Sequence, residues 1–441
     1  MKSEVTVESL SLYVNRGITP RYTESIEDSI VVLNQKCIRD FKVSLGPSRR
    51  NDLNKRKVTE GKALKKYDVL INSTGVGTLG RVAQFFGDDD SATVDSHVTI
   101  VRPNPELIDP TYFGYLMKSK QRVIESFAEG STGQTELNRN SVKELQVEII
   151  NALATQKRIG EFLIDIDEKM EINTQTNQTL EQTAQALFKS WFVDFDPVKA
   201  KIETLAQGGS AADAELAAMR FISAKTVDEL NSLKASNPEV FNKLAQTAAL
   251  FPTAMQDSEL GEIPEGWEAK QLKDILELAY GKALKKTNRV DGDVPVYGSG
   301  GLTGYHNQSL VEGPGIIVGR KGTVGSVYWE PKAFYPIDTV FYVKPKAGYS
   351  LKYCHLVLQN LGLKDMNTDA AVPGLNRDNA YRLDVITPTK DVMSLFKEIM
   401  QSLQSKVDAN NAQSANFESL RDTLLPKLLS GEIDLASEVV A

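Results

Sequence analysis

The chain has 441 residues, more than one hydrophobic core normally holds, so we expect at least two domains. Its composition, 41% hydrophobic and 25% charged, is typical of a globular protein, and its apolar runs are too short to span a membrane. Two cysteines and three histidines exclude a disulfide framework and argue against a zinc site, and a formal net charge of −7 excludes a uniformly basic surface. With no signal pattern at its start, the chain is expected to be cytoplasmic.

Residues 1–152 are predicted to form a first β-rich domain. Runs such as Asp68–Asn72 are separated by glycine, proline and asparagine, as is typical of short strands. A basic segment, residues 36–66, holds eleven basic and three acidic residues, so it carries +8 and leaves −15 for the rest of the chain. Its basic residues are Lys36, Arg39, Lys42, Arg49, Arg50, Lys55, Arg56, Lys57, Lys62, Lys65 and Lys66. We predict that it contacts nucleic-acid phosphates, the alternative being an ordinary solvated surface.

A glycine-rich motif follows the basic segment. Gly75–Gly80 fits the G-x-G-x-x-G pattern of loops that bind dinucleotides or S-adenosylmethionine. Such a loop leads into a helix whose N-terminus faces the anion, whereas the next residues, Arg81–Phe86, have the character of a strand. We therefore predict a glycine-rich hairpin. A methyltransferase that binds S-adenosylmethionine through Gly75–Gly80 is the alternative.

A second methyltransferase-like motif is found at Asp109–Tyr112, which is close to Asp/Asn-Pro-Pro-Tyr but lacks the second proline. Asp followed by Pro is also a common start of a helix, so we predict that Asp109 caps one. A phosphate-binding G-x-x-x-x-G-K-[ST] motif is missing, and a hydrolytic triad would have to use the scattered His97, His306 or His355. The sequence thus predicts no catalytic centre.

Residues 153–198 are predicted to contain a long helix at about 155–191, and residues 389–434 a second one at about 392–428. Apolar residues recur at alternating spacings of four and three, which is the pattern of a coiled-coil seam. They are Ile159, Leu163, Ile166, Met170, Leu180, Ala184, Leu187 and Trp191. Residues 389–434 repeat this pattern before a tail at 435–441, with Phe396, Met400, Leu403, Val407, Phe417, Leu424 and Leu428. A constant difference of 237 superimposes the two seams and pairs Asn173 with Asn410.

Between the two helices, residues 199–262 are predicted to form a helical linker insert of two or three short helices, broken at Gly208–Ser210 and at Asn237-Pro238. Residues 263–388 are predicted to form a second β-rich domain, with strands at Gly315–Val318 and Thr339–Val343.

The two β-rich domains are predicted to be copies of each other. Their matching segments are Ile30–Asn34 with Val294–Gly298, Gly77–Gly80 with Gly322–Gly325, and Leu137–Arg139 with Leu375–Arg377, at differences of 264, 245 and 238. An identical hexapeptide at 61–66 and 281–286 breaks this trend with a difference of 220, so we interpret it as coincidence. We predict an α+β fold: two β-rich domains separated by two long antiparallel coiled-coil helices, with a pseudo-twofold internal repeat.

Several motifs resemble the specificity subunits of type I restriction-modification systems. In the second copy these are Tyr297–Gly301, Gly313–Gly325 and Pro336–Val340, which resemble a target recognition domain. The segments Leu187–Pro197 and Leu424–Ile433 resemble the ends of that family's two conserved helices. The first copy matches more weakly, since Leu33–Lys36 stands where the second copy has Tyr-Gly-Ser-Gly.

The resemblance implies a non-catalytic subunit that recognises double-stranded DNA. It also implies docking to two modification subunits and, through them, to restriction subunits. By the same resemblance this chain binds no cofactor, and its partners use S-adenosylmethionine, ATP and Mg²⁺. Two recognition domains imply a bipartite target with an unread spacer set by the helices. A coiled-coil scaffold that does not read bases is the alternative.

The candidate DNA-contact residues lie in the basic segment and near the glycine-rich motifs. They are Lys36, Arg39, Arg49, Arg50, Lys55, Arg56, Lys57, Arg81, Lys285, Lys286, Arg320, Lys321 and Thr323. In an antiparallel pair of equivalent helices, equivalent residues meet only at the midpoint, which here falls at Asn173 and Asn410. We predict that these two amides pair and fix the register, the alternative being exposed residues tolerated for solubility.

Overall fold

The computed structural model describes residues 2–75, 77–129, 136–366 and 374–435. The chain divides into two units: unit 1 contains residues 1–175 and 410–441, and unit 2 contains residues 176–409. Unit 1 is therefore built from both ends of the sequence. Among the described residues, no helix is both long and apolar enough to cross a membrane.

Unit 1 is rich in short strands. They are β1 (Lys2–Thr6), β2 (Ser11–Arg16), β3 (Tyr22–Thr23), β4 (Ser29–Leu33), β5 (Ile38–Arg39), β6 (Lys42–Val43), β7 (Arg49–Asp52), β8 (Val69–Asn72), β9 (Val82–Gln84), β10 (Ala92–Val94), β11 (Val98–Pro103), β12 (Ala128–Glu129), β13 (Glu136–Leu137) and β14 (Gln146–Ile150). Its helices are α1 (Pro110–Ser119), α2 (Gln121–Ser126), α3 (Arg139–Lys143), the first part of α4 (Leu153–Phe192) and the last part of α12 (Lys390–Leu429).

The core of unit 1 lies on both faces of an antiparallel sheet with the strand order β2-β11-β8-β9. Because side chains alternate along a strand, Val69 and Ile71 of β8 face a cluster that includes α1, while Leu70 faces a second cluster. That second cluster includes Leu33 of the neighbouring sheet β10-β4-β7-β3. Burial on both sides explains why β8 is continuously apolar in sequence up to Asn72.

The predicted helix start at Asp109 is confirmed. Its side chain accepts a hydrogen bond from the backbone N–H of Tyr112 (2.8 Å), and Pro110 occupies the first position of α1. Such a cap satisfies a backbone donor that has no partner within the helix.

Unit 2 begins in the second part of α4 and ends in the first part of α12. Its other helices are α5 (Asp196–Ala206), α6 (Ala211–Ser223), α7 (Val227–Ser236), α8 (Pro238–Ala249), α9 (Leu272–Ile275), α10 (Leu351–Asn360) and α11 (Arg377–Tyr381), with α12 at Lys390–Leu429. Its strands are β15 (Met255–Ser258), β16 (Gly261–Pro264), β17 (Glu268–Gln271), β18 (Leu276–Tyr280), β19 (Val294–Gly298), β20 (Gly301–His306), β21 (Gly315–Gly319), β22 (Val327–Glu330), β23 (Tyr335–Pro336), β24 (Val340–Pro345) and β25 (Asp384–Thr387).

The internal repeat is confirmed by sheet topology. The sheet β18-β24-β21-β22 repeats the order of β2-β11-β8-β9. In unit 1, β4 pairs antiparallel with β7 and parallel with β10; in unit 2, β19 pairs antiparallel with β20 and parallel with β23. These are the strands that contain the matched segments Ile30–Asn34 and Val294–Gly298. The fold class is α+β, as predicted.

The structural counterpart of Gly281 is Gly17, not Gly61. A Cβ atom at Gly281 would lie 2.1 Å from the carbonyl oxygen of Ile337, and one at Gly17 would lie 2.0 Å from that of Val94. Both glycines directly follow the first strand of their sheet, and each donates its N–H to the strand β11 or β24. The repeated hexapeptide is therefore a coincidence of sequence, as we interpreted it.

The helices α4 and α12 each contain 40 residues, and their bounds differ by 237, the difference predicted from the seams. In unit 1, Ile159 near the start of α4 packs in one cluster with Leu428 near the end of α12. In unit 2, Trp191 near the end of α4 packs with Phe396 near the start of α12. In each unit, therefore, the two helices run antiparallel.

The insert differs from its prediction, because residues 196–249 form four helices rather than two or three. Phe195, with a left-handed backbone (φ 58°), separates α4 from α5, so the first long helix ends at 192, one residue beyond its predicted end at about 191. Ser210 and Thr226 each begin a new helix by exchanging hydrogen bonds with the residue three positions later. We overlooked the second of these capping boxes in the sequence. A hairpin, β15–β16, follows the helices.

Candidate nucleic-acid interface

In the second copy, two glycine-rich loops pack against each other. The carbonyl oxygen of Ser299, in the turn between β19 and β20, accepts hydrogen bonds from the hydroxyls of Ser326 (2.7 Å) and Tyr328 (3.2 Å). Ser326 ends the turn that follows β21. That turn folds back tightly, since a Cβ atom at Gly319 would lie 2.1 Å from the carbonyl oxygen of Thr323. The two glycine-rich loops are therefore held in fixed positions against each other, and exposed residues lie on their outer side.

The first copy brings together the equivalent segments. The Gln35 side-chain amide donates a hydrogen bond to the Thr74 hydroxyl, and the backbone carbonyl oxygen of Gln35 accepts one from Asn72 Nδ2 (3.1 Å). The Thr74 hydroxyl also lies 2.9 Å from His97 Nδ1. Leu33–Lys36 therefore occupies the place of the Tyr-Gly-Ser-Gly turn, although the two sequences differ.

The predicted glycine-rich hairpin at Gly75–Gly80 is confirmed. The segment joins β8 to β9, which pair antiparallel, so a strand and not a helix follows the glycines. In a cofactor-binding loop, the N-terminus of the next helix faces the phosphate. Here a strand stands in that position. Arg81 donates a hydrogen bond to the Gly77 carbonyl oxygen (2.9 Å), which holds the side chain over the turn.

Part of the basic segment is neutralised within unit 1. Lys42 is paired with Glu171 of α4 (2.5 Å), Lys65 with Asp90 (2.6 Å) and Arg39 with the adjacent Asp40 (3.5 Å). Lys55 lies 3.1 Å from Asp52, and its hydrogen bond lowers the pKa of the Asp52 carboxyl. Such exposed pairs open easily, so these lysines and arginines remain available to a stronger anion. Within the basic segment, the exposed members of the candidate list are Lys36, Arg39, Arg49, Lys55, Arg56 and Lys57.

Three other basic residues of this segment are held by the fold. The Arg50 guanidinium donates to the Ser29 hydroxyl (2.7 Å), and the Arg49 guanidinium lies 3.7 Å from the centre of the Tyr22 ring. The Lys62 ammonium donates to the Gly17 carbonyl oxygen (2.7 Å), and burial lowers its pKa. Lys62 thus supports the fold, while Arg49 is stacked but exposed.

The candidate residues of the second copy lie close to the two packed loops. Lys321 and Thr323 are exposed in the turn after β21, and Arg320 at the start of that turn is half-buried. Lys285 and Lys286 are exposed in the segment between β18 and β19. Two residues that we did not predict also lie here: Tyr280 lies beside Arg320, and Arg377 lies beside Tyr280. The repeated Leu-Asn-Arg motif was a sequence signal for Arg377, and Tyr280 had none.

Asn173 and Asn410 lie together in unit 1, with exposed fractions of 8% and 5%. The amide nitrogen of Asn173 donates to the backbone carbonyl oxygen of Asn410 (3.3 Å) and lies within hydrogen-bond distance of Gln413 Oε1 (3.0 Å) and Ser414 Oγ (3.1 Å). The partner of the Asn173 side chain is thus the backbone of Asn410 together with two further side chains of α12.

Known proteins resemble the chain along most of its length. Residues 45–182 and 264–413 match the family model of the type I restriction modification DNA specificity domain. The chain is 32% identical over 404 residues to the type I restriction enzyme HindI specificity subunit of Haemophilus influenzae, covering 84% of this chain and 88% of that protein. It is 22% identical over 348 residues to the MjaIX specificity subunit of Methanocaldococcus jannaschii, covering 73% of this chain and 68% of that protein.

A solved structure shares the fold. The S subunit of a type I restriction-modification system from M. genitalium aligns over 99% of this chain and 97% of its own, with a TM-score of 0.50 and 19% identity. The family model falls on both copies, so the duplicated architecture and the sequence relationship agree. The chain belongs to the type I restriction-modification DNA specificity family, as a subunit that recognises DNA and is not itself catalytic.

Proposed function

We propose that this specificity subunit reads a bipartite DNA target, one half with residues 1–152 and the other with residues 263–388. The observation that supports this proposal is the repeated sheet order, β2-β11-β8-β9 and β18-β24-β21-β22, within one chain. Two β-rich domains of the same topology but different loop sequences are suited to reading two different half-sites. In this proposal the segments 153–198 and 389–434, which contain α4 and α12, set the length of the unread spacer. Residues 199–262 are a linker insert.

The proposed assembly contains two modification subunits bound to this chain, with restriction subunits joining through them. In this assembly the partners use S-adenosylmethionine, ATP and Mg²⁺, and this chain positions them on DNA. Within the ranges that the structure describes, His, Cys, Asp and Glu side chains do not gather into groups that could hold a metal ion. The chemistry of its polar loops is that of hydrogen-bond donors and acceptors, which suits base recognition.

We assign phosphate contacts to the exposed basic residues and base contacts to the packed loops. Exposed lysines and arginines at the rim fix the position of DNA, since phosphates are the same in every sequence. The turns at Ser299–Gly300 and Lys321–Thr323 are held by hydrogen bonds, so their side chains can be presented with little loss of conformational entropy. Arg81 and the Gln35–Thr74 contact occupy the same place in the first copy.

Mapping methylated adenines in cells that carry this chain with its partners tests the proposal. We expect two short specified sequences separated by an unspecified spacer of constant length. Cells that carry the partners without this chain should lack methylation at these sites. A single uninterrupted motif, or methylation that persists without the chain, would contradict a bipartite reader.

We further propose that Asn173 and Asn410 fix the register of α4 against α12. Changing both to leucine should raise the free energy of unfolding by roughly 1–3 kcal/mol, because leucine gains apolar burial and loses hydrogen bonds of small net value. It should also loosen spacer selectivity, since the polar contact that disfavours a slipped register is gone. Urea unfolding and methylation of duplexes with spacers one base pair shorter or longer measure the two effects.

The matched control for this pair is Thr174→Leu, at the adjacent exposed position of α4. It should alter neither spacer selectivity nor stability by more than about 0.5 kcal/mol. A double leucine variant that is less stable than the natural chain, or as selective for spacer length, would show that the two asparagines do not set the register.

A further inference from the structure

An exposed aromatic ring in the second copy lies beside two arginines. Tyr280, the last residue of β18, is 46% exposed. The guanidinium carbon of Arg320 lies 4.8 Å from the centre of its ring, and that of Arg377 lies 4.9 Å from the same centre. These three residues, here called the arginine–tyrosine cluster, come from three separate parts of the sequence.

The cluster is held in place from behind. The ring of Phe341 lies 5.0 Å from that of Tyr280, and Arg320 Nη1 donates to the Asp338 carbonyl oxygen (3.2 Å). The backbone after Tyr280 is also packed tightly, because Gly281 lies so close to Ile337 that a Cβ atom at this position would clash with it. The Arg320 guanidinium is therefore oriented before any ligand arrives, and the Arg377 guanidinium lies against the rings of Tyr280 and Tyr381, so both lose less conformational entropy on binding.

The charges of the cluster are not neutralised within the part of the chain that the structure describes. Neither Arg320 nor Arg377 forms an ion pair there within 4.0 Å, and Arg377 Nε has no hydrogen-bond partner among the described atoms. Two arginines with a structural role are paired instead: Arg102 with Asp68 (2.8 Å) and Arg421 with Asp167 (2.7 Å). Two oriented, unpaired guanidinium groups on the surface favour an anionic ligand.

The first copy uses the equivalent positions differently. Arg16, the last residue of β2 and the counterpart of Tyr280, forms an ion pair with Glu136 and donates to the Leu137 carbonyl oxygen (2.8 Å). Arg139, the counterpart of Arg377, donates to Asn15 Oδ1 (2.7 Å). Those arginines contact acceptors of their own domain, whereas among the described residues the two arginines of the cluster form no ion pair and keep N–H groups available for a ligand.

We propose that Arg320 and Arg377, oriented on Tyr280, bind backbone phosphates of DNA at the half-site read by the second β-rich domain. The inference rests on the proposed function, since it requires that this domain contacts DNA. A guanidinium stacked on an aromatic ring keeps its N–H edge free to form two parallel hydrogen bonds with a phosphate. The sequence around the cluster is also basic, with Lys282 next to Gly281 and Lys321 next to Arg320. Tyr280 acts here as a positioning residue.

The test uses the full chain bound to its modification subunits and two duplexes, one with the mapped target and one with a scrambled sequence. Fluorescence anisotropy at several salt concentrations gives the affinity and its salt dependence. The double variant R320Q/R377Q should bind both duplexes at least about tenfold more weakly, and the slope of log affinity against log salt should fall by about two. Unchanged affinity and slope would overturn the proposal. A loss confined to the target duplex would also overturn it, because that would indicate base reading.

Two further variants separate orientation from charge. Tyr280→Ala should weaken binding several-fold with little change in the salt slope, because both charges remain but lose the ring that orients them. Tyr280→Phe retains the ring and should bind DNA with the affinity of the natural chain. The variant R320K/R377K should keep the slope and lose affinity, since lysine cannot form the forked contact. If Tyr280→Ala bound as the natural chain does, the ring would not position the arginines.

The matched charge control is R220Q/K243Q, which removes two exposed charges from the insert helices and should change affinity less than about twofold. Thermal unfolding of each variant separates loss of binding from loss of fold. Methylation mapping decides the proposed function separately. If the target is bipartite and the R320Q/R377Q slope is unchanged, the phosphate site alone is wrong.

Discussion

Exchange of the second β-rich domain for that of another specificity subunit will change one half of the methylated motif and leave the other half intact. The structure places the junctions at residues 268 and 387. Upstream, β16 pairs with β15, and Trp267 packs against Phe192 of α4, so these residues should stay. The exchanged part then begins and ends with the antiparallel pair β17–β25, which closes the domain on itself.

The incoming domain must preserve the apolar contact with the helices. Tyr353 of α10 lies against Phe188 and Phe396, with ring centres 5.7 Å and 6.3 Å apart. Loss of a buried aromatic side chain there would cost about 3–5 kcal/mol and would be mistaken for a loss of recognition. Methylation mapping reads the outcome. Exchange of residues 211–249 in the insert, as the control, should leave both halves unchanged, while a domain exchange that altered both would refute modular reading.

Neutralising the middle of the basic segment, residues 49–57, will weaken binding to every DNA sequence. Changing Arg49, Arg50, Lys55, Arg56 and Lys57 to glutamine removes five positive charges, and each lost phosphate contact should lower the salt slope by about one. The affinity should fall by about 10³ or more near 0.1 M salt if most of the five contact phosphates. Anisotropy over a series of salt concentrations measures both quantities.

The structure also sets the control for this variant. Because Arg50 donates to Ser29, changing it will also disturb the fold. A variant that retains Arg50 and changes the other four residues separates the loss of phosphate contacts from this structural effect. Five exposed charges of the insert, Lys199, Arg220, Lys225, Lys234 and Lys243, can be changed in the same way, and their loss should have little effect. Equal losses in the two five-charge variants would mean that net charge, not the basic segment, attracts DNA.

The long helices could be predicted from sequence to within two residues, because an apolar seam repeated over 40 residues leaves one solution. The hairpin at Gly75–Gly80 followed from the strand character of the residues after it. The extra helix of the insert was missed because Thr226 and Glu229 form a capping box without a glycine or proline nearby. Such local signals compete with many similar ones in a chain of this length.

The arginine–tyrosine cluster could not be predicted from sequence. Tyr280, Arg320 and Arg377 are separated by 40 and 57 positions, and only the pairing of β18, β24 and β21 brings the first two together. The equivalent arginines of the first copy are used in internal contacts, so the repeat gives no hint of a shared role. Charge identified Arg320 as a candidate but gave most weight to the basic segment, part of which is paired within unit 1.

The division of the chain into units has a consequence for its synthesis on the ribosome. The core of unit 1 joins Ile159 and Leu163 of α4 to Leu425 and Leu428 of α12. About 260 residues separate these two sets, which at typical elongation rates is a delay of roughly 10 to 50 seconds. Residues 176–409, which make up unit 2, all emerge during this interval. Of the two units, the one whose synthesis begins first is therefore the last whose core can be completed, which reverses the usual order in which N-terminal domains fold first.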